Sequence, residues 1–338
     1  MEGRNYRVVS CEGGDQFGKA DAILTFAKKF TERGVSITFS SFPMYASPFG
    51  TVIRKFLRNG LEDFKFEPEK ELKTKMALYA LDRLQFLDVV LSNPEYKKTL
   101  ILLDRSSFSN AVTIAYGITH IENLKKKDIE DLTNYAFWLD GLMMRKLGLK
   151  KCVIQMVSSS EVWKNVRKEE QDINENLEVQ KATDKMYDIY RERVGKGWGR
   201  IVTKTNDGWE DREEIFNRIY TFVVSRLGEF NLEVFPKKYT INIQEVLQNS
   251  YPGTNVAHSD VKTYWKALND NDKDTMHEYG MKIGEEIGLS CKEFRLNDEE
   301  VRKAFSKILK KDPAIFLVLE RYLGDNFATK ISEAVAKW

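Results

Sequence analysis

Cysteine is scarce. The 338 residues hold only Cys11, Cys152 and Cys291, far apart and outside any Cys-x-x-Cys pair. A disulfide framework and a zinc ribbon are thereby excluded, and a reducing, intracellular (cytoplasmic) setting is expected. Long hydrophobic runs are missing too: Leu100-Ile101-Leu102-Leu103 is far short of the ~20 residues that cross a bilayer, so no membrane partner is expected. Behind the single Arg4 the N-terminus has no hydrophobic segment of the secretory kind. His120, His258 and His277 stand alone, without the spacing of a metal site. An excess of one charge is also lacking, with 53 Lys+Arg against 51 Asp+Glu. From Pro236 onward the two signs balance at 16 each, which argues against a polymeric nucleic-acid partner.

What remains is a composition able to bury a sizeable core, 42% hydrophobic and 12% aromatic, at a length that suits two modest domains. Tyr6–Ser10 reads as a strand, followed by a glycine-bearing turn and a helix from about Ala20 to Arg33. Further strands are expected at Ser36–Phe39, Thr99–Leu103, Cys152–Val157 and Arg200–Val202. Helices are expected at Glu71–Leu91 (amphipathic), Asp128–Leu147, Ser160–Val194 and Asp211–Leu227. Such alternation predicts a parallel sheet covered by helices. After Phe235-Pro236 the pattern is purely helical: Ser259–Leu268, Lys273–Ile287, a capping box from Asn297 to Glu300, and a last pair from Asp312-Pro313. The boundary falls near 230–240, so residues 1–230 form one α/β domain and 236–338 an all-α domain. A chain ending near Phe235 is expected to keep the sheet and to bind nucleotide.

Glu12-Gly13-Gly14-Asp15-Gln16-Phe17-Gly18-Lys19-Ala20 lies between the first strand and the first helix. Gly13 and Gly18 at this spacing let backbone N–H groups curl round a phosphate, and Lys19 reaches the outer phosphates. Ala20 stands where a P-loop has the Ser or Thr that holds magnesium. Asp104-Arg105 ends a strand, where ligands bind in parallel sheets. Arg105 can grip a phosphate bidentately and Asp104 can hold Mg2+, although a plain strand-end ion pair is the simpler alternative. Tyr79 and Arg83, four apart on one helix, share a face and suit a stacked base; a tyrosine covered by an arginine stem is the structural alternative. The polar stretch 161–178 has the composition of a lid or of a solvated helix.

Over the first two thirds of the chain these pieces, in order, resemble the thymidylate kinase family of nucleoside monophosphate kinases. The resemblance rests on the Glu12-Gly13-Gly14-Asp15 opening, on Phe42-Pro43 with Gly50 and Ile53–Leu57 behind it, and on Tyr79 with Arg83. It continues through Thr99–Arg105 with Ser109 to Arg167 followed by Asp172 and Glu175. It implies a P-loop kinase fold, usually a homodimer, that phosphorylates dTMP or a related deoxynucleoside monophosphate with ATP and Mg2+. It implies that Gly13, Gly14, Gln16, Phe17, Gly18, Lys19 and Ala20 bind ATP. Lys19, Asp104, Arg105 and Arg167 are the implied catalytic group, with Asp104 on the metal. The acceptor falls to Asp15, Phe42, Pro43, Tyr45, Tyr79, Arg83, Arg105 and Ser109, with Asp15 at the sugar hydroxyl and Ser109 on the base or phosphate side. For Ser109 an ordinary loop hydroxyl is the alternative. The chain departs from the family at Ala20, at Gln16, at Tyr45 in place of an arginine, and at Ser106 in place of an aromatic residue. These departures leave a second reading open, a degenerate kinase that binds nucleotide without turnover and acts through its helical tail.

Overall fold

The computed structural model describes residues 6–14, 18–44, 47–59, 61, 64–122, 124–159, 177–205, 208–228, 240–241, 294 and 296–338. The chain divides into two compact units that do not follow its order: residues 1–41 with 94–241, and 42–93 with 242–338. This grouping differs from the expected 1–230 and 236–338. The chain changes unit at 241/242, close to the expected boundary, and also at 41/42 and 93/94.

The first unit is built on a seven-stranded sheet. In chain order its strands are β1 (Arg7–Gly13), β2 (Ile37–Ser41), β3 (Leu100–Asp104), β4 (Val153–Ser158), β5 (Trp198–Thr205), β6 (Gly208–Trp209) and β7 (Thr240–Ile241). Their spatial order is β6-β5-β4-β1-β3-β2-β7. Among the described residues every pairing is parallel except the β5/β6 hairpin. β1 lies between β3 and β4 and is buried from Val8 to Gly13. A strand without an exposed face reads as a continuous apolar run, as Leu100–Leu103 does. β7 corrects the expectation of a purely helical C-terminal part, because Thr240 and Ile241 extend the sheet beside Ile37 and Thr38.

Helix α1 (Lys19–Glu32) packs on β1, β2 and β3 and against α8 (Arg212–Leu227). Phe26 and Phe30 of α1 meet Phe216 of α8 at ring-centroid distances of 6.0 and 6.4 Å. All three rings are buried, each contributing about 1.5–3 kcal/mol relative to exposure. Asp211 caps α8 through the N–H groups of Glu213 and Glu214. α4 (Asn110–His120) packs against α7 (Leu177–Val194) and α5 (Lys126–Leu139). The single helix expected over 128–147 is two, α5 and α6 (Gly141–Leu147), parted at Asp140, whose carboxylate accepts from Asn110 Nδ2 at 3.0 Å. The chain before α7, from 160, lies outside the described residues.

Among the described residues the second unit holds α2 (Pro48–Asn59), α3 (Pro68–Ser92) and three C-terminal helices, α9 (Glu299–Lys311), α10 (Ala314–Leu323) and α11 (Asp325–Lys337). α3 does not behave as the amphipathic helix expected. Leu72, Thr74 to Leu78 and Ala80 to Val90 are all buried, round the whole circumference. A helix buried on every side needs cover on every side, and α9 and α10 supply part of it. Phe49 of α2 sits edge-on to Phe305 of α9 at 5.3 Å. Thr74 donates to Asp312 at 2.7 Å, and Asp88 accepts from the N–H groups of Asn297 and Asp298 at 2.8 and 2.6 Å. The cap of α9 is Asp298, bonded to the N–H of Val301, one residue after the expected Asn297. The expected helices 259–268 and 273–287 lie outside the described residues.

Candidate functional site

In the first unit the site grows from the C-terminal end of β1. Gly13 ends that strand with φ +136°, and a Cβ there would stand 2.4 Å from the Met156 carbonyl oxygen. Gly18 precedes α1 with φ +73°. Both positions favour glycine for backbone conformation, and Gly13 also for room, since its neighbour there is backbone. Among the described residues no side chain caps the first turn of α1, so its N–H groups and the positive end of the helix dipole face the loop. Lys19, the first residue of α1, is buried, and its Nζ donates to the Gly14 carbonyl at 2.6 Å. The expected cradle residues Gly13, Gly14, Gly18 and Lys19 thus come together. Asp15, Gln16 and Phe17 lie outside the described residues, and Ala20 falls in the first turn of α1.

Asp104 ends β3 opposite Cys11 of β1. One carboxylate oxygen, Oδ2, is 3.5 Å from Ser41 Oγ; the other, Oδ1, is buried with no hydrogen-bond partner among the described residues. A hard oxygen left with spare lone pairs at this strand end suits Mg2+, directly or through water. Arg105 takes φ +65°, and its N–H bonds the Cys11 carbonyl at 2.9 Å. The left-handed conformation is uncommon outside glycine and costs of order 1–3 kcal/mol, a cost met mostly where a side chain must be aimed.

Glu12 is more than the opening of a motif. It is fully buried, and its carboxylate accepts from Ser106 Oγ at 2.6 Å, Ser109 Oγ at 2.6 Å and Tyr187 Oη at 3.2 Å. Ser10 Oγ lies 3.0 Å from the same carboxylate and 2.7 Å from Ser106 Oγ. Charge-assisted bonds of this number offset the desolvation of a buried carboxylate. They also join β1, the turn after β3 and α7. Burial and the neighbouring Glu12 charge push the Tyr187 phenol well above its usual range, against the charge of Arg105. Ser109, expected on the base or phosphate side, instead turns to Glu12. Ser106, where an aromatic residue was expected, uses its hydroxyl in the same network. Burial and Asp104 raise the Cys11 thiol well above its ordinary value, with Lys19 opposing, as suits a small buried core residue.

No protein-family model matches the chain, and no curated protein matches it in sequence. In structure it is similar to a thymidylate kinase from Candida albicans described for its broad substrate specificity. The TM-score is 0.49 and the identity 16%, over 67% of this chain and 93% of that one.

The remaining acceptor candidates lie in the second unit. Phe42 is buried edge-on to Phe86 at 5.3 Å, and the Phe42-Pro43 peptide is cis. Tyr79 is half-buried and edge-on to Phe56 at 5.7 Å. Arg83 is only 2% exposed. Tyr45 and the lid residues Arg167, Asp172 and Glu175 lie outside the described residues. Two residues of interest escaped the sequence reading. Trp209 is 59% exposed, yet a Cβ on Gly18 would stand 2.7 Å from its ring, and Lys204 Nζ lies 5.2 Å from the ring centroid. Asp82 holds the segment after Phe42-Pro43; only a carboxylate amid an apolar helical run hinted at it.

Proposed function

We propose that this protein transfers the γ-phosphoryl group of ATP to a nucleoside monophosphate, dTMP or a related deoxynucleotide first among them. The observation that carries the reading is that Gly13, Gly14, Gly18 and Lys19 lie at the end of β1, whose Cys11 pairs with Asp104 and accepts the N–H of Arg105 at the end of β3. Phosphoryl transfer needs alignment and charge stabilisation rather than covalent help from the protein. Lys19 and the α1 N-terminus hold the donor phosphates, and Trp209 beside Gly18 offers an exposed face to the donor base. Arg105, aimed by its backbone conformation, takes the transferring or acceptor phosphate. Asp104 holds Mg2+, which when bound draws charge from the phosphate oxygens. Phe42, Pro43, Tyr79 and Arg83 belong to the acceptor in this reading, as do Asp15 and Tyr45, and Arg167 closes over the triphosphate. The reading extends to a homodimer in the cytoplasm.

Ala20 supports a second reading, a nucleotide-binding protein without turnover, because an alanine brings no oxygen ligand to the metal. ADP release with ATP, Mg2+ and a panel of nucleoside monophosphates separates the two. Turnover with a pyrimidine deoxynucleotide is expected. Nucleotide binding without ADP release for any acceptor, in both the natural chain and Ala20→Ser, would sink the catalytic reading.

A further inference from the structure

Phe42, Met44, Ser47 and the first turn of α2 are fixed to α3 from one strip of that helix. Asp82 is 1% exposed; its Oδ2 accepts the N–H of Met44 at 2.8 Å and its Oδ1 accepts the hydroxyl of Ser47 at 2.5 Å. Ser47 Oγ in turn accepts the N–H of Gly50 at 2.8 Å, capping α2, and the side-chain amide of Gln85 at 3.3 Å. Phe86 takes the ring of Phe42 on the same strip. Tyr79, Asp82 and Phe86 are three and four residues apart, so they lie along one face of α3.

We propose that Asp82 is a positioning residue: it fixes Met44, Ser47 and the start of α2 to the helix that carries Tyr79 and Arg83, presetting the acceptor side. The inference rests on the proposed function for its consequence in catalysis, but not for the contact itself. An apolar residue at 82 would pack without a charge to desolvate, yet could not accept from a loop N–H and a hydroxyl together. A carboxylate at the start of α2 also meets the positive end of that helix. Burial nevertheless raises its pKa to about 6, opposed by the bonds from Ser47 and Met44 and by the charge of Arg83. What the group contributes is therefore direction rather than net stability, and a preset loop spares the acceptor the cost of ordering it.

The full-length chain is compared with Asp82→Asn and Asp82→Ala. In Asp82→Asn the side-chain amide can still accept from Met44, but the Ser47 hydroxyl loses its carboxylate; alanine loses both bonds. The acceptor KM is expected to rise about 10-fold in Asp82→Asn and more in Asp82→Ala, with the KM for ATP unchanged and kcat falling less than KM rises. Equal acceptor KM in all three proteins, or a parallel rise in both KM values, overturns the positioning role. Amide hydrogen exchange is measured on the same proteins, so failure of the kinase reading is distinguished. Met44 protection should fall about 10-fold or more in Asp82→Ala while Ala80 and Leu84 keep theirs. Unchanged Met44 protection overturns the proposal whether or not any monophosphate is phosphorylated. Loss of Met44 protection in a chain that turns over no acceptor leaves the tether standing and removes only its catalytic consequence.

Discussion

At the scale of single residues, charge is placed at two costs. One is conformational: Arg105 accepts φ +65° at the end of β3. The other is electrostatic: Asp82 keeps a carboxylate in the dry interior of the helical unit. Each cost predicts a measurement. If Arg105 and Lys19 act mainly on charge that develops during transfer, Lys19→Ala and Arg105→Ala each lower kcat about 100-fold or more, with unfolding midpoints close to the parent's. Retained turnover in a folded variant removes that residue from the catalytic group. For Asp82 the sign follows from linkage. Its pKa is about 6 in the folded chain against an unfolded value near 3.8, so the folded state holds the proton more tightly. The stability this contributes is complete below about pH 4 and is lost as pH rises through about 6. Between pH 5 and 7.5 the parent should lose roughly 1–2 kcal/mol more than Asp82→Asn in urea unfolding. Comparison with the variant cancels Asp88 and Asp184, whose pKa values burial also raises. Equal slopes with pH would show that Asp82 titrates as an ordinary surface carboxylate.

At the scale of elements, the glycine turn between β1 and α1 was legible because its constraints are local. Gly13 and Gly18 each need a conformation only glycine adopts freely, and Lys19 follows directly. The Glu12 network was not legible, because its donors stand at 10, 106, 109 and 187 and meet only when β1, β3 and α7 assemble. β7, two residues long, gives no periodicity to read. α2 and α4 passed unseen as helices, Pro48–Asn59 within a motif and Asn110–His120 as an apolar stretch without a surface stripe. The network makes its own prediction. Glu12→Gln keeps the volume but presents an amide N–H2 where the carboxylate accepts, so two hydroxyls must turn or lose their bonds. Stability should drop by about 2–4 kcal/mol, since a buried carboxylate with several donors is removed. Tyr187→Phe removes the 3.2 Å bond to Glu12 together with the bonds of the same hydroxyl to the Gly13 backbone and Ser109, and should cost about 1–2 kcal/mol. ATP affinity should fall more in Glu12→Gln than in Tyr187→Phe, because Glu12 directly precedes Gly13. Calorimetry on both variants checks the order, and equal losses would confine the network to a structural role.

At the scale of the whole molecule, the C-terminal helices are part of a core rather than an appendage to it. The boundary expected near 230–240 rests on the change from alternating strands and helices to helices alone after Phe235-Pro236. What that pattern does not reveal is that α3, buried on all sides, takes part of its cover from α9 and α10, in the last part of the sequence. Ending the chain at Phe235 would take from Phe49 its rings at Phe294 and Phe305. Thr74 would lose Asp312, and Asp88 would lose the two N–H groups that offset its burial. Val301, Phe305, Ile315, Val318 and Leu319 are essentially buried in the full chain. At about 1.5–3 kcal/mol each, their contacts approach the whole 5–15 kcal/mol that holds a domain folded. β2 would also lose β7 and become a bare edge beside Ile37 and Thr38. A chain of residues 1–235 should therefore express as aggregate, or as a collapsed state with far-UV but no near-UV circular dichroism. Adding residues 296–338 back as a separate polypeptide during refolding should restore part of the near-UV signal, since those residues carry α9, α10 and α11. A soluble, cooperatively unfolding 1–235 that binds ATP would instead return the boundary to where the pattern of elements suggests it.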